Sequence, residues 1–383
     1  MRIVVLGAGR VGKRIVEDLV EFYKDIDEVV VGDISMERAE AAAKADPERV
    51  KPVKADVTDR ESLHDVLRDA DAVINATFYG LAMNVIKVAL ELKIPYTDLG
   101  SSLYRTSPDF IEAGVPAVID TGGAPGLINM LSKYLVERMS SVEYIHLYDV
   151  TIETKGPNIS APIRWKYSIE TMLDEAIMDV IIYRDGEFIK TRPFTGIEER
   201  VFPDPIGKAR VFHIFHPEVE TLAKTFADKG IREVWYKIDA FSLPWEEGMK
   251  WRLLADLGLA ETKEIEVDGV KVSPRKVLLT LLKNIPDAWE GWEGYEMLQS
   301  VVKGVVDDEP VVGEATAIAH ITWRSGSTLT ACPASITGYW LAKGILDKPG
   351  AYPVEQVMDT DMFFREMARR DVQLLYSFHK NIV

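Results

Sequence analysis

Cysteine is nearly absent from this sequence, since Cys332 is the only one among 383 residues. A single thiol excludes an intramolecular disulfide framework and any metal site built from several cysteines. Histidine is also scarce, and its six copies show no spacing typical of metal ligands. We therefore predict a protein without a metal site.

Basic charge and long apolar runs are lacking as well. The net charge is −16, and an acidic surface repels nucleic acids and anionic membranes, so neither is expected as a partner. We find no apolar run long enough to span a bilayer. We expect no signal peptide, because a predicted strand begins at residue 2, and we expect a cytoplasmic protein. Only three glutamines accompany many charged residues, a balance typical of thermophilic proteins.

The first stretch of the chain predicts a nucleotide-binding unit. Arg2–Leu6 is mostly apolar and β-branched, as in a buried parallel strand, and 13–23 has apolar residues at helical spacing. Between them, residues 7–12 match the Gly-x-Gly-x-x-Gly dinucleotide fingerprint in its required context of strand, turn and helix. The helix N-terminus favours an anion, so we expect this loop to hold the cofactor pyrophosphate. The cofactor-binding residues predicted from it are Gly7, Gly9, Arg10, Val11 and Gly12.

Asp33 ends the second predicted strand. A Rossmann unit places at this point the acid that accepts hydrogen bonds from the adenosine ribose hydroxyls. A carboxylate would repel the 2′-phosphate of NADP, and the next basic residue is Arg38. The sequence therefore predicts NAD as the cofactor.

Two later strand ends complete the predicted cofactor site. Asp56 and Val57 follow the third strand, beside the expected adenine pocket, although an ordinary turn is an equally good interpretation of Asp56. Asn75 ends the fourth predicted strand, and Ala76 and Thr77 follow it. Small and polar residues at that point suit close approach of the nicotinamide half of the cofactor.

The order of elements predicts the fold class. Strands and helices alternate over the first 120 residues, which indicates an α/β fold with a Rossmann-type doubly wound parallel sheet. From about residue 143, strands joined by hairpins predict a second, mostly antiparallel α+β domain. We place a dinucleotide-binding domain at 1–125, a substrate-binding domain at 126–330 and helices that return to the first domain at 331–383.

A second glycine-rich patch, residues 120–126, follows the sixth predicted strand. Open α/β sheets bind their ligands at the carboxyl ends of strands, so Asp120, Thr121 and Gly122 are candidate site residues. A loop at a domain boundary is the alternative interpretation, and both can hold because clefts form at such boundaries.

The second domain offers few groups for substrate binding and proton transfer. Arg164, Lys166 and Tyr167 combine cations with an aromatic ring, as in a site for an amino-acid carboxylate. His213 lies in an aromatic-lined segment before a helix, and an imidazole or the Asp120 carboxyl could act as a base. Each of these residues is equally well interpreted as a solvated or core side chain.

The pair Tyr339 and Lys343 has the spacing of the short-chain dehydrogenase dyad. That dyad belongs near the fourth helix of a Rossmann sheet and not at the far end of a long chain. We therefore interpret the two residues as part of helix packing.

Five stretches of the sequence resemble motifs of one known protein family. They are residues 7–12 with Asp33, 120–129, 165–168, 270–279 and 350–356. Together they resemble the saccharopine-dehydrogenase-like family, and most closely its lysine 6-dehydrogenase branch, over nearly the whole chain. The resemblance implies an NAD(P)-dependent oxidoreductase acting at a C–N bond of a lysine-derived amino acid. It also implies that the second domain is inserted into the Rossmann domain and forms the contacts of a homodimer or higher oligomer.

One departure from the family pattern concerns the substrate. Saccharopine reductases of the family resemble Asp-Pro-Gly at the second glycine patch, where this sequence has Ala124-Pro-Gly126. We therefore expect oxidative deamination of L-lysine at its ε-carbon to the semialdehyde, with His213 or Asp120 as the base. Arg164 or Lys166 would bind the substrate carboxylate. The alternatives are a saccharopine or carboxynorspermidine dehydrogenase or reductase, and a non-catalytic NAD-binding protein.

Overall fold

The structure, a computed structural model, describes residues 1–323, 325 and 327–380. It divides the chain into two compact units, the first formed by Met1–Glu137 with Ser325–Leu375 and the second by Arg138–Arg324 with Tyr376–Val383. The second unit is thus inserted in the sequence of the first. The first boundary between the units follows Glu137, after the helix that begins at residue 127. The sequence analysis places this boundary earlier, after residue 125.

Eighteen strands are present in the described part of the chain. In order they are β1 (Arg2–Leu6), β2 (Glu28–Asp33), β3 (Val50–Lys54), β4 (Ala72–Asn75), β5 (Tyr96–Asp98), β6 (Pro116–Ile119), β7 (Ser141–Lys155), β8 (Val180–Arg184), β9 (Glu187–Thr191), β10 (Thr195–Val201), β11 (Lys208–His213), β12 (Glu233–Ile238), β13 (Ile265–Val267), β14 (Val270–Val272), β15 (Glu293–Val306), β16 (Glu309–Thr322), β17 (Gly350–Pro353) and β18 (Gln373–Lys380).

Helices separate most of these strands. The α-helices are α1 (Arg10–Phe22), α2 (Met36–Ala43), α3 (Arg60–Leu67), α4 (Ala82–Leu92), α5 (Ser107–Ala113), α6 (Leu127–Val136), α7 (Ile169–Glu175), α8 (Glu218–Thr225), α9 (Trp245–Asp256), α10 (Pro274–Leu282), α11 (Thr328–Ala342), α12 (Val354–Val357) and α13 (Thr360–Ala368). Among the residues that the structure describes, no helix is both long and apolar enough to cross a membrane.

The first unit contains a seven-stranded parallel sheet in the order β3-β2-β1-β4-β5-β6-β17. The chain leaves the β1-β2-β3 half and returns on the other side of β1, so the strand order reverses between β1 and β4. Ligands of doubly wound sheets bind at such a point, beyond the carboxyl ends of the strands. The predicted Rossmann-type sheet is therefore confirmed.

Both faces of this sheet are covered, which explains its nearly continuous apolar strands. Val4 and Leu6 of β1 pack into one core with α4, whereas Ile3 and Val5 pack into another with α1. Alternation along β1 thus sends successive side chains into two different cores.

The C-terminal part of the first unit adds helices α11, α12 and α13 and strand β17. Helix α11 packs against α1, β4 and β5, and β17 extends the sheet beside β6. In the structure α11 starts at Thr328 and contains Pro333 in its interior.

The second unit is built on a mixed sheet. Its main path is β10-β11-β12-β7-β15-β16-β18, with the hairpin β8-β9 attached to β12. The pairs β12–β8, β7–β15 and β15–β16 are antiparallel, whereas β12 pairs with β7 in parallel. The predicted second sheet domain is present, and the parallel pair of β12 with β7 makes it mixed.

The long strand β7 separates an apolar from a polar environment. Tyr148 and Val150 belong to a core cluster on one face of the sheet. Asp149 and Thr151 alternate with them and therefore point to the other face. Glu296 lies directly opposite Thr151 on β15, so it shares that polar face.

Candidate functional site

The glycine loop between β1 and α1 has the shape that a dinucleotide requires. Gly7 has a φ of 93°, a conformation that favours glycine. A Cβ at Gly12 would lie 1.8 Å from the carbonyl oxygen of Gly7, so only glycine allows this approach of helix and loop. A Cβ at Gly9 would meet nothing within 4 Å, so this backbone is open to a ligand. Gly9 is also the N-cap of α1 and gives no side-chain cap, while Arg10 and Val11 form its first turn.

Asp33 is buried and held in place beside this loop. One carboxylate oxygen accepts from the Ala8 N–H at 2.7 Å, and the other accepts from the Ser35 N–H at 2.8 Å. Arg38, whose side chain is 56% exposed, donates to the second oxygen through Nη2 at 2.7 Å and Nε at 3.1 Å. Asp33 thus lies beside the glycine loop, and Arg38, the next basic residue, is its direct partner.

The remaining predicted cofactor residues follow two strand ends. Asp56 accepts from the backbone and hydroxyl of Thr58, which holds the pKa of its carboxyl below the usual range. Val57 follows it and packs against one core of the first unit. The Asn75 side-chain oxygen accepts from the Thr77 hydroxyl at 2.7 Å, and Ala76 lies between them, close to Gly7.

A pair of buried carboxyl groups continues this edge of the sheet. Asp98 ends β5, and Asp120 follows β6 with its N–H donating to an Asp98 oxygen at 3.1 Å. Tyr96 donates to the other Asp98 oxygen at 2.9 Å and accepts from the Asn75 amide at 3.1 Å. Hydrogen bonds therefore connect the nicotinamide end predicted at Asn75 and Thr77 with the carboxyl pair.

Three neighbouring groups hold the Asp120 side chain in place, and its pKa is nevertheless higher than that of an ordinary carboxyl group. It accepts from the Tyr104 hydroxyl at 2.5 Å and from the Ser102 N–H at 2.8 Å. Burial and the neighbouring charge of Asp98 raise the pKa of Asp120 to about 7, although these hydrogen bonds oppose the rise. A carboxyl that titrates near neutral pH can exchange protons with a substrate.

The other predicted residues of the second glycine patch, Thr121 and Gly122, contact the backbone at the end of β5. The Thr121 hydroxyl donates to the Asp98 carbonyl at 2.8 Å, and a Cβ at Gly122 would crowd the Leu99 carbonyl. The sequence analysis missed Asp98, Tyr96, Ser102 and Tyr104. Asp98 could have been found, because it is an acid at the end of a predicted strand next to Asp120 in the sheet.

The structure brings two of the three substrate-binding candidates of the second unit near one group of buried acids. Lys166 donates to the Thr151 hydroxyl at 2.9 Å and lies 4.0 Å from Glu296. Tyr167 donates to the carboxylate of Glu175. Arg164 instead pairs with Glu153 at 2.8 Å on Oε2, the oxygen to which Trp292 also donates.

His213 lies apart from this group. Its Nδ1 is 2.9 Å from the Tyr236 carbonyl oxygen, its ring packs on Trp235, and burial lowers its pKa. The Tyr236 side chain points to the opposite face of the sheet from Trp235 and stacks on His216. The histidine that lies near the buried acids is therefore His216.

His216 is held between two carboxylates. Its Nδ1 is 3.1 Å from both oxygens of Glu218, and its Nε2 is 3.8 Å from Glu175. Burial alone would lower the pKa of His216, but the charges of Glu218 and Glu175 outweigh it and the pKa is raised. His216 follows His213 by three residues, and the two rings contact opposite faces of β12, His213 on Trp235 and His216 on Tyr236.

The sequence matches profiles of two known domains along most of its length. Residues 3–118 match the saccharopine dehydrogenase NADP binding domain, and residues 122–372 match the saccharopine dehydrogenase C-terminal domain. The chain belongs to the saccharopine dehydrogenase family. The predicted family is confirmed, and the glycine loop with its open backbone identifies an NAD(P)-binding domain.

Relatives with assigned activities match the chain at low identity. Carboxyaminopropylagmatine dehydrogenase from Synechocystis sp. is 21% identical over 96% of this chain and 95% of its own length. Carboxynorspermidine synthase from Vibrio alginolyticus is also 21% identical, over 96% of this chain and 94% of its own length. The structure of apo saccharopine dehydrogenase (L-Glu forming) from Saccharomyces cerevisiae shares 16% identity and covers 99% of both chains with a TM-score of 0.74. This likeness shows that the two proteins share a fold.

Proposed function

We propose that this family member is an NAD(P)-dependent dehydrogenase or reductase acting at a secondary amine that joins an amino-acid fragment to a polyamine-type amine. The observation that carries the proposal is the match over nearly full length to carboxyaminopropylagmatine dehydrogenase and carboxynorspermidine synthase. Both names denote an amine that bears a carboxylated substituent. These two relatives therefore favour the alternative hypothesis, a dehydrogenase or reductase of the carboxynorspermidine type, over deamination of free lysine.

In the direction of oxidation, the carbon next to the neutral amine nitrogen loses a hydride, which leaves an iminium group. Water adds to this carbon and the C–N bond breaks, so that a primary amine, an aldehyde and one proton are released. When bound, the nicotinamide cofactor supplies the hydride acceptor, or the donor in the direction of synthesis. The glycine loop and Asp33 would hold this cofactor.

The proton transfers need a group of the protein. Oxidation requires a neutral amine and the activation of water, and a base with a pKa near the working pH serves both steps. Asp120 has such a pKa and lies at the carboxyl edge of the sheet, bonded to Asp98. We therefore assign the proton transfer to Asp120 in preference to His213, whose pKa is lowered by burial and whose ring packs on Trp235.

We also propose that the cofactor is NAD. The support is Asp33, which faces the loop and would repel a 2′-phosphate. Arg38 acts against this preference because a guanidinium attracts phosphate, but it is already paired with Asp33.

The proposed function is tested with the purified protein and the absorbance of reduced cofactor. We expect NAD to be reduced with carboxynorspermidine or carboxyaminopropylagmatine, and NADH to be oxidised when an amine and an amino-acid semialdehyde are supplied together. L-lysine and saccharopine are the comparison substrates. Faster turnover of lysine than of every secondary amine would instead support the deamination of lysine. The sequence analysis predicts that reaction from Ala124, which stands where saccharopine reductases have an aspartate. No turnover with any substrate, while NADH still binds, would indicate a non-catalytic protein.

We also propose that the protein is a homodimer whose contacts are formed by the second unit, as the resemblance to the saccharopine dehydrogenase family implies. Sedimentation at micromolar concentration should give about twice the mass of one 43.0 kDa chain, and a monomer would contradict the proposal.

A further inference from the structure

A network of buried charged side chains in the second unit has no part in the cofactor site. We call it the acidic cluster, and each of its members is 9% exposed or less: Asp149, Glu175, Glu218, Asp239, Glu296, Lys166 and His216. Asp149 lies at its centre, because it interacts with Glu296, Asp239, Lys166 and His216. Five carboxyl groups thus face two basic groups, and this excess of acid is expensive to bury.

The basic groups do not balance the half of the cluster that surrounds Asp149. Lys166 is its one ammonium group, 2.9 Å from the Thr151 hydroxyl and 4.0 Å from Glu296. His216 is held by Glu218 and Glu175. Asp239 uses both of its oxygens to accept from the backbone N–H groups of Thr151 and Ser242.

Two carboxyl oxygens of the cluster lack a hydrogen-bond donor within the described part of the chain. They are Oδ1 of Asp149 and Oε2 of Glu296, in side chains that are 8% and 6% exposed. Asp149 and Glu296 repel each other and lie on the same face of the sheet. Buried polar groups are nearly always paired in folded proteins. Oδ1 of Asp149 has no donor, and Oε2 of Glu296 has only the Lys166 ammonium at 4.0 Å, beyond hydrogen-bond distance, so both oxygens point to a donor from outside the chain.

A cavity of about 280 Å³ borders the cluster. Its walls include Thr151, which contacts both Lys166 and Asp239, and Ser242, which donates to Asp239. The remaining wall residues are Ile152, Glu153, Leu243 and Pro244. An aliphatic chain that ends in a charged group suits walls of this mixed character.

The chemistry of the unpaired oxygens selects an organic cation. They need a donor with positive charge, and within residues 1–323, 325 and 327–380 no three carboxylate, imidazole or thiol groups converge as a metal site requires. We propose that the acidic cluster binds a primary ammonium group of an aliphatic amine, with Asp149 and Glu296 as its direct acceptors. The inference deepens the proposed function, since it assigns the amine part of the proposed substrate to these residues.

Binding of this kind requires the loss of protons from the cluster. Burial and the charges of Glu296 and Asp239 raise the pKa of Asp149 well above its usual value, and burial raises that of Asp239 to about 7. Near neutral pH a carboxyl proton must therefore leave to the buffer when an ammonium group takes its place. The uptake of an amine by the cluster and the release of protons are two signs of one event.

The test is titration calorimetry of the full-length protein without cofactor, using 1,4-diaminobutane, 1-aminobutane and 1-butanol at pH 7. We expect both amines to bind and the alcohol not to bind. The measured heat should differ between phosphate and HEPES buffers, neither of which contains a primary amine, by the amount that proton release requires. Asp149→Asn and Glu296→Gln should each weaken amine binding at least tenfold and reduce the proton release.

Glu199→Gln is the matched control, because Glu199 lies in the same unit on an exposed hairpin with Lys208 and Arg210. It should leave the amine affinity unchanged. Unchanged affinity in Asp149→Asn and Glu296→Gln, no amine binding at millimolar concentration, or amine binding without proton release would overturn the inference. Mg²⁺ that displaces the amines would overturn it as well.

The same measurements separate this inference from the proposed function. NADH titration reports the first unit, and it should be unchanged in all three variants. Amine binding without turnover of any secondary amine would contradict the proposed reaction alone. Turnover of such substrates with unchanged amine affinity in both cluster variants would contradict the cluster assignment alone.

Discussion

Single side chains decide the cofactor in Rossmann proteins, and here two of them oppose each other. Asp33 offers a carboxylate where a ribose hydroxyl is expected, while Arg38 holds a guanidinium on the same carboxylate. The preference therefore depends on which of the two groups meets the cofactor. With both present, the acid is fixed by the Ala8 and Ser35 N–H groups and should dominate.

Replacing Asp33 by serine tests this balance. Asp33→Ser removes the ribose acceptor and frees Arg38 to approach a phosphate, so NAD binding should weaken by roughly 1–3 kcal/mol and the preference over NADP should disappear. Equilibrium binding of NAD and NADP, followed by fluorescence, measures both effects. The control is Glu37→Gln, because Glu37 is an exposed acid on α2 next to Arg38, and this variant should change neither affinity. Equal affinity of the unmodified protein for the two cofactors would refute the NAD assignment.

Asp120 makes a second prediction at this scale. As the proposed base in oxidation it must be unprotonated, so the rate should rise with pH through its pKa of about 7. Asp120→Asn should lower kcat by about 10²–10⁴ and remove this limb, with NADH binding unchanged. Tyr104→Phe should move the limb to higher pH, because the Tyr104 hydroxyl lowers the pKa of Asp120.

The control for Asp120 is an exposed acid nearby. Asp109→Asn on α5 should keep both the rate and the pH profile. A pH limb that survives in Asp120→Asn would assign the titration to another group, and the corresponding His213→Ala variant would then be measured.

At the scale of elements, one buried ion pair joins three helices of the first unit. Arg370, just after α13, donates three hydrogen bonds of 2.9 to 3.0 Å to Asp18 of α1. Asp18 also accepts from Cys332 and Ser335 of α11. The pair thereby fixes the C-terminal helices on the nucleotide-binding sheet.

Breaking this pair should destabilise the first unit strongly. Arg370→Met removes all three arginine hydrogen bonds of the buried Asp18 and leaves it only the longer contact of 3.9 Å with Arg14, which costs up to about 3–5 kcal/mol. Chemical denaturation followed by circular dichroism measures the loss. Arg369→Met is the matched control, since the half-exposed Arg369 pairs with Glu366 and lies over the Phe22 ring but makes no hydrogen bond to a buried acid, so it should cost about 1 kcal/mol or less. The double variant Asp18→Asn with Arg370→Met should recover part of the stability, and equal losses in both arginine variants would contradict the role of the pair.

The sequence predicted those elements whose local pattern and environment agree. The first strand, the glycine loop and α1 combine apolar periodicity with required glycines, so their prediction needs no knowledge of distant contacts. Strands β10 and β17 were not predicted. The first is charged and exposed, and the second, Gly-Ala-Tyr-Pro, has the composition of a turn; both depend on pairing with a distant neighbour.

The candidate site shows the same limit. Gly7, Gly9 and Asp33 were predicted because the fingerprint fixes their spacing, whereas Asp98 and Glu296 gain their significance only from tertiary neighbours. His213 and His216 are three residues apart, and the side of the sheet that each ring contacts could not be predicted, because β11 ends at His213.

For the whole molecule, the balance of buried charge sets how stability depends on pH. The unfolded chain releases the protons of Asp120, Glu175 and Asp239 near pH 4, whereas the folded protein keeps them until about pH 7. The folded state therefore binds more protons between these values, and its stability falls as the pH rises. Neutral, buried His146 and His213 oppose this trend only below about pH 6.5, where an unfolded histidine becomes charged.

We accordingly expect the second unit to lose stability between pH 6.5 and pH 8, and Glu175→Gln to reduce that loss. Its charge no longer has to be buried at pH 8, so the variant should gain roughly 1–3 kcal/mol over the unmodified protein there and little at pH 5. Denaturation followed by tryptophan fluorescence suits the measurement, because every tryptophan except Trp340 lies in the second unit. Glu220→Gln, an exposed acid on α8, should show the same small difference at both pH values. If the stability of the unmodified protein instead rises from pH 6.5 to pH 8, these carboxyl groups are charged in the folded state and the acidic cluster is balanced in another way.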